Sequence, residues 1–157
     1  MHLRAAGHAD RSWIQQTLTE EWGDYRVVVR GVLMDSLVLP AVIVEEDGRP
    51  CGLMTYEARG VEWEIVTLNA LTPQRGMGTA MVEHLAERAR RAGAQRLVVE
   101  TSNDNMNALR FYQRRGFELT RVRPGALVEA RRLKPALPMT GTFGIPLRDE
   151  IQLVRPL

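Results

Sequence analysis

The stretch Thr72–Val82, TPQRGMGTAMV, places an arginine, two glycines one residue apart, a threonine and an alanine at the start of a predicted helix. The first N–H groups of a helix have no intrahelical acceptor and form the positive end of its dipole, so they attract anions. The two glycines lack the β-carbon that would hold a phosphate away from those amides. Arg75 adds a charge and Thr79 a hydroxyl. The stretch is therefore either a phosphate cradle or a turn that needs glycine.

Two familiar phosphate-binding motifs are excluded by single residues. A dinucleotide-binding fingerprint needs Gly or Ala where Met81 stands, and its parallel strand does not follow a hairpin. A P-loop needs Gly-Lys-Ser/Thr, which this stretch lacks. A cradle at this position is of another kind.

The segments around this stretch predict an α+β fold. Before it, Ala41–Glu46, Pro50–Ala58 and Val61–Ala70 read as three consecutive antiparallel strands, the first two joined by an Asp-Gly turn. Apolar residues at every fourth position predict an amphipathic helix from Gly76 to Arg91. The remaining predicted elements are a helix from Asp10 or Ser12 to Trp22, a strand at 95–101, a helix at 106–115, a strand at 117–122, a short helix Ala126–Leu133 and a last strand Glu150–Val154. This order places helices against a sheet.

Length and composition indicate one globular domain spanning residues 1–157. Hydrophobic residues make up 45% of the chain and charged residues 25%, as in folded soluble proteins. Cys51 has no partner cysteine, and no Cys/His cluster is present to bind a metal. Because no signal peptide or membrane-spanning stretch is evident, we expect a cytoplasmic protein without a membrane partner. The arginines are spread along the chain, so we expect no nucleic-acid partner.

Two blocks resemble one family. Arg75–Ala80 resembles the Arg/Gln-x-x-Gly-x-Gly/Ala motif of the GNAT superfamily, the acetyl-CoA-dependent N-acyltransferases, and EIVTLNAL before it (Glu64–Leu71) is similar to the strand of that motif. NMNALRFYQRRGF, Asn105–Phe117, resembles the family's second block. The resemblance covers Val61–Phe117 best. It implies a GNAT-like mixed, mostly antiparallel central sheet, splayed at the fourth strand, with helices on both faces.

The resemblance also implies acetyl-CoA as co-substrate and no metal. In this family the diphosphate of coenzyme A lies on the glycine loop, and the pantetheine arm runs along the preceding strand. The cofactor-binding residues carried over are Arg75, Gly76, Met77, Gly78, Thr79 and Ala80 for the diphosphate, Leu68, Asn69 and Ala70 for the arm, and Asn105, Ala108 and Tyr112 for the opposite side of the slot. Asn105 is equally well interpreted as a helix cap.

Transfer of an acetyl group to a primary amine requires a base, because alkylammonium groups are protonated at neutral pH. Glu64 matches the family's strand glutamate and is the predicted base, with burial beside Trp63 making it more basic. Glu62 is the nearest rival, and either could be a solvated strand residue. Tyr112 is the predicted acid for the leaving thiolate or an aromatic packed on the sheet. The Ala70 amide would polarise the thioester carbonyl.

The acceptor is left undefined by the sequence. Specificity is expected from the first helix, the loop after it and the segment 123–149, which contribute the candidates Trp13, Trp22, Tyr25, Arg30, Arg131 and Arg132. The acceptor is an amine of a small molecule or of a protein. The alternative function is a non-catalytic acyl-CoA-binding or regulatory module. Family members pair through their C-terminal strands, so a homodimer is an option that the residues themselves do not decide.

Overall fold

The computed structural model describes residues 1–72 and 76–157, which contain nine strands and four α-helices. The strands are β1 (His2–Ala5), β2 (Arg26–Val29), β3 (Val32–Asp35), β4 (Ala41–Glu46), β5 (Arg49–Arg59), β6 (Glu62–Ala70), β7 (Arg96–Ser102), β8 (Glu118–Arg123) and β9 (Glu150–Pro156). The α-helices are α1 (Arg11–Trp22), α2 (Met77–Arg91), α3 (Met106–Gln113) and α4 (Ala126–Ala130). Two short 3-10 helices lie at His8–Asp10 and Thr142–Gly144.

Seven strands form one sheet in the order β1-β4-β5-β6-β7-β9-β8, and β2 pairs with β3. The pairs β1–β4, β4–β5, β5–β6 and β8–β9 are antiparallel. The predicted α+β class with a mixed, mostly antiparallel sheet is confirmed. The chain divides into two compact units, residues 1–27, 35–97 and 157 in the first and 28–34 and 98–156 in the second.

In the first unit, helices cover both faces of the sheet. Ile14 and Leu18 of α1 pack with Ala41, Ile43 and Leu53 on one face. Met77 of α2 lies on the other face, packed directly against Gly52 of β5. A β-carbon added at Gly52 would lie only 2.6 Å from the Met77 sulfur. We call these the α1 face and the α2 face. Because strand residues alternate between faces, every side chain of β5 and β6 can be assigned to one of them.

Most predicted elements are confirmed within a residue or two. The Asp47-Gly48 turn has φ of 49° and 74°, as a type I′ hairpin requires. The predicted stripe of Met77, Met81, Leu85 and Ala89 is buried along α2. The predicted helix Ala126–Leu133 was too long, because α4 ends at Ala130.

The second unit carries its own small core. Leu127 and Ala130 of α4 pack with Leu147, and Val28 and Leu137 lie against them. The fit between α4 and the segment before β9 shows that part of the 123–149 region is built into this unit. Among the described residues, no helix is long and apolar enough to cross a membrane.

Asp10 lies at the N-cap position of α1, but its carboxylate binds elsewhere. It accepts two 2.8 Å hydrogen bonds from the Arg4 guanidinium and one of 2.7 Å from the Gly7 amide. These bonds, with Arg4 the larger contributor, lower the pKa of Asp10 from 3.8 to about 2. A lowered pKa in the folded state stabilises the protein above the unfolded value, and this stabilisation is lost as the pH falls through the folded value.

We expect Asp10→Asn to lower the free energy of unfolding by about 1 kcal/mol at pH 7, after allowance for solvent screening of a partly exposed pair. The difference from the wild type should shrink between pH 4 and pH 2 and vanish below about pH 2. Urea unfolding at both ends of this range measures it. An equal destabilisation at pH 7 and pH 2 would show that the ion pair is not its source.

Candidate active site

The N-terminus of α2 has the geometry of an anion site. Gly76 precedes the helix with φ of 92°, a left-handed conformation that favours glycine. The first intrahelical hydrogen bond runs from the Ala80 amide to the Gly76 carbonyl at 2.8 Å. The amides of Met77, Gly78 and Thr79 therefore precede it and point out of the helix end.

Side chains contribute unequally at this helix end. Met77 is fully buried against Gly52, so only its main chain is available to an anion. Thr79 and Ala80 are half-buried in the first turn. Arg75, predicted to bind the diphosphate, lies outside the described residues with Pro73 and Gln74. Its role stays a prediction.

The main-chain N–H and C=O groups of successive β6 residues point alternately toward β5 and away from it. The Leu71 amide donates to the Cys51 carbonyl of β5 at 2.9 Å. Antiparallel pairing alternates residue by residue, so the main-chain groups of Asn69 also point toward β5, and those of Leu68 and Ala70 point away from it. Leu68 and Ala70 therefore present N–H and C=O groups on the edge opposite β5.

The Asn69 side chain links β6 to the end of α1. Its oxygen accepts a 3.1 Å hydrogen bond from the Trp22 indole, and its amide nitrogen lies 3.5 Å from a Glu21 carboxylate oxygen. Trp22 is 42% exposed. Asn69 thus holds the C-terminal end of α1 through its side chain, while its main chain faces β5.

Glu64 is fully buried on the α1 face. One carboxylate oxygen accepts a 2.9 Å hydrogen bond from Arg59, and Glu57 of β5 is its direct cross-strand neighbour. Trp63 points to the α2 face, where it stacks on Tyr56 at 5.4 Å between ring centroids. The environment of Glu64 is therefore set by Arg59 and two further glutamates, where the sequence suggested Trp63.

Glu62 shares the α1 face with Glu64, as predicted, but is a third exposed. Its carboxylate binds Arg96, whose Nε and Nη2 lie 2.7 Å and 2.5 Å from the same oxygen. Both candidate bases are thus paired with arginines. Burial distinguishes them, because Glu64 has no solvent exposure.

A β-bulge separates the two halves of β6. Thr55 pairs with Thr67 and Tyr56 with Ile65, which leaves Val66 as the additional residue. The Thr55 and Thr67 hydroxyls are hydrogen-bonded at 2.8 Å on the α1 face. Bulges redirect side chains and are frequent beside active sites. Here the bulge returns Glu64 to the face that Asn69 occupies.

In the second unit, Tyr112 is buried in an aromatic group on α3. Its ring makes edge contacts with Phe111 and Phe117, with centroids 5.0 Å and 5.1 Å apart. Burial raises the pKa of Tyr112, while nearby Arg115 opposes the shift. The phenol consequently stays protonated throughout the ordinary pH range. Packing and the predicted acid role are compatible, because only the hydroxyl is needed for chemistry.

Asn105 occupies the N-cap of α3. Its side-chain oxygen accepts a 3.1 Å hydrogen bond from the Ala108 amide. The capping interpretation is therefore confirmed. Contact of Asn105 and Ala108 with a cofactor stays a prediction.

The loop before α3 also holds the segment before β9, a role that the sequence did not reveal. Buried Asp104 accepts a 2.8 Å hydrogen bond from the Thr142 amide, and a β-carbon at Gly141 would collide with its carboxylate. Asn103 accepts hydrogen bonds from the amides of Arg148 and Asp149. The polar run SNDN thus anchors the second unit's longest connection besides opening a helix.

The two arginines that follow α4 differ in role. Arg131 donates from its guanidinium to the carbonyls of Leu137, Pro138 and Leu147. Through Nε and Nη2 it stabilises the path of the chain before β9. Arg132 is exposed beside Glu129, as a solvated helix face predicts. Within residues 1–72 and 76–157, no group of three or more His, Cys, Asp or Glu could hold a metal ion.

Comparison with known proteins identifies the family. The sequence model of the Acetyltransferase (GNAT) family matches residues 10–117. "Uncharacterized protein YdhI" of Bacillus subtilis (strain 168) is 43% identical over 108 residues, which cover 69% of this chain and 68% of that protein. The structure of the IAA acetyltransferase from Bacillus cereus ATCC 14579 is similar with a TM-score of 0.76, 18% identity and 99% coverage of both chains. A GNAT family acetyltransferase from Elizabethkingia anophelis, crystallised with acetyl-CoA bound, is similar with a TM-score of 0.67, 20% identity and 76% coverage of both. The chain belongs to the acetyltransferase (GNAT) family and is an acyltransferase.

Proposed function

We propose that the protein transfers the acetyl group of acetyl-CoA to a primary amine of a small molecule or a protein. The observation that carries this proposal is the succession of β6, with buried Glu64, and the glycine-led N-terminus of α2. These two elements supply a base and an anion site at opposite ends of a short piece of chain. Membership of the acetyltransferase (GNAT) family supports the same reaction class.

Acetyl-CoA is held largely by main-chain groups in this proposal. The amides of Met77, Gly78 and Thr79 bind the diphosphate, with Arg75 and Ala80 completing the loop. The outward-facing N–H and C=O groups of Leu68 and Ala70 pair with the pantetheine arm as a further strand would. The side chain of Asn69 contributes to the cofactor site by holding Trp22 at the C-terminal end of α1.

The acceptor amine is deprotonated and attacks on one face of the sheet. Glu64 accepts the proton of the ammonium ion, directly or through water, and passes it to solvent. The neutral amine nitrogen then attacks the thioester carbonyl carbon, forming the C–N bond, and Glu64 accepts the second proton that the nitrogen loses. The Ala70 amide stabilises the oxyanion. The C–S bond then breaks, and the electron pair leaves on sulfur. Clustered carboxylates on this face favour an acceptor that arrives as an ammonium ion.

Tyr112 donates its phenolic hydrogen to the sulfur as negative charge develops there, and the proton follows to give free coenzyme A. Solvent then restores the phenol. The raised pKa of Tyr112 keeps the phenol a hydrogen-bond donor at every pH at which the amine can react, which supports stabilisation of the developing thiolate. The same shift makes the phenol a weaker acid, so the hydrogen bond contributes more to this role than the proton transfer. Asn105 and Ala108 line the cofactor slot on α3, the helix that carries Tyr112.

We expect Tyr112→Phe to lower kcat roughly tenfold while the KM for acetyl-CoA stays close to the wild-type value. Phenylalanine preserves the edge contacts with Phe111 and Phe117, so the fold should be retained. Thiol release at saturating acetyl-CoA measures kcat. Full activity would leave Tyr112 with a packing role alone.

The proposed function is tested by mixing the protein and acetyl-CoA with spermidine, kanamycin, tyramine and trialanine in turn. Release of the coenzyme A thiol above the amine-free rate identifies the acceptor class. Tight binding of acetyl-CoA without thiol release from any amine would favour the alternative, a non-catalytic acyl-CoA-binding or regulatory module. The cytoplasmic location and a homodimer remain part of the proposal and need separate measurement.

A further inference from the structure

One arginine lies among three glutamates on the α1 face. Arg59 Nη2 is 2.9 Å from Glu64 and 3.9 Å from Glu62, and Arg59 Nε is 3.3 Å from Glu57. Arg96 binds Glu62 from its far side. Among the described contacts, three carboxylates thus face two guanidinium groups on this part of the sheet.

The register of β5 and β6 produces this cluster. Glu57 is opposite Glu64, and Arg59 is opposite Glu62, so all four side chains emerge on the same face. Like charges directly opposite each other destabilise a sheet unless a counter-ion lies between them. Arg59 is placed diagonally to Glu64, where its planar guanidinium can reach two carboxylates at once.

The three glutamates depend on Arg59 to different extents. Glu62 has Arg96 within 2.5 Å, and Glu57 is 34% exposed to water. Glu64 has no solvent exposure, and a buried carboxylate needs a cation and hydrogen bonds to remain charged. The guanidinium therefore matters most at the residue proposed as the base.

We propose that Arg59 is a positioning residue for the acetyl transfer, which fixes one oxygen of the Glu64 carboxylate. This inference rests on the proposed function, because it assigns Arg59 to the base of that reaction. The neighbouring Glu57 and Glu62 contact the same guanidinium group.

The test compares Arg59→Gln and Arg59→Lys with the wild type, using whichever of the four amines gives the fastest thiol release. We expect Arg59→Gln to lower kcat about tenfold with the KM for acetyl-CoA unchanged, since a misplaced catalytic group slows chemistry without affecting a distant binding site. Lysine restores the charge but lacks the planar guanidinium fork, so we expect Arg59→Lys to recover only part of the lost kcat and to stay about threefold below the wild type. A merely structural role would lower the melting temperature and leave kcat per folded molecule unchanged.

Arg91→Gln is the matched control. Arg91 also bonds a glutamate, Glu87, at 2.9 Å, but on the exposed surface of α2. We expect it to keep wild-type kcat. Circular dichroism and thermal unfolding establish that each variant is folded at the assay temperature.

Two results separate this inference from the function on which it rests. Wild-type kcat in folded Arg59→Gln, together with an inactive Glu64→Gln, would overturn the role of Arg59 and leave the base in place. Full activity in Glu64→Gln would overturn the base itself and, with it, the inference. If Arg59→Gln does not fold, Arg59→Lys decides the question. Lysine lacks the planar fork that fixes a carboxylate oxygen, so a kcat identical to the wild type would count against positioning by Arg59.

Discussion

Replacing Glu64 with glutamine should lower kcat by about three orders of magnitude, the middle of the range for loss of a general base. Glutamine preserves the size of the side chain and can still accept a hydrogen bond from Arg59, but it cannot take a proton from the amine. Because Glu64 is remote from the diphosphate loop in the proposed arrangement, the affinity for acetyl-CoA should stay unchanged. Thiol release and calorimetric titration with acetyl-CoA measure the two quantities separately.

Glu62→Gln is the natural control for this experiment. It removes a carboxylate from the same face of the same strand but leaves the buried pair of Glu64 and Arg59 intact. We expect its kcat to stay within about threefold of the wild type, as for loss of a partly exposed ion pair. An inactive Glu62→Gln together with an active Glu64→Gln would transfer the base role to Glu62.

Replacing Gly78 with valine should weaken acetyl-CoA binding about 100-fold, the equivalent of losing one or two charge-assisted hydrogen bonds. Gly78 belongs to the first turn of α2, among the amides that precede the first intrahelical bond. A branched side chain there would compete with the diphosphate for the space at the helix end. Calorimetric titration gives the affinity, and kcat at saturating acetyl-CoA should change far less.

Gly7→Val provides the comparison for a glycine outside the loop. Gly7 has an ordinary φ of −114°, and a β-carbon there would meet only Asp10, at 3.8 Å. Its affinity for acetyl-CoA should equal that of the wild type. If Gly78→Val does not fold, Gly78→Ala gives a smaller change of the same sign. Unchanged affinity in a folded Gly78 variant would mean that the glycines serve only the turn.

The strongest local patterns in the sequence predicted the fold best. The Asp47-Gly48 turn and the four-residue spacing along α2 have local physical causes, and both appear where expected. The β2–β3 hairpin was not predicted. Its turn places Arg30 at φ of 52°, a left-handed conformation that arginine rarely adopts, so the sequence did not indicate a turn there. The helix α4 ends earlier than predicted because the amides of Arg132 and Leu133 donate to the carbonyls three residues back, at Glu129 and Ala130, as in a tight turn.

The surroundings of the predicted base could not be read from the sequence. Strict alternation from Asn69 would place Glu64 on the α2 face, whereas the bulge at Val66 returns it to the α1 face. The Arg59 contact follows from this register. A bulge depends on pairing between strands, which no pattern within β6 encodes. The motif thus identified Glu64 as a candidate, and the structure identified what surrounds it.

The central claim is that this chain joins an acetyl group from acetyl-CoA to an amine nitrogen. The most direct measurement is the ratio of N-acetylated amine, quantified by mass spectrometry, to coenzyme A thiol released by the wild-type protein. The account predicts equal amounts of the two products with at least one of the amines tested, and neither product above background with Glu64→Gln. Thiol release without an acetylated amine, or release that continues undiminished in Glu64→Gln, would contradict it.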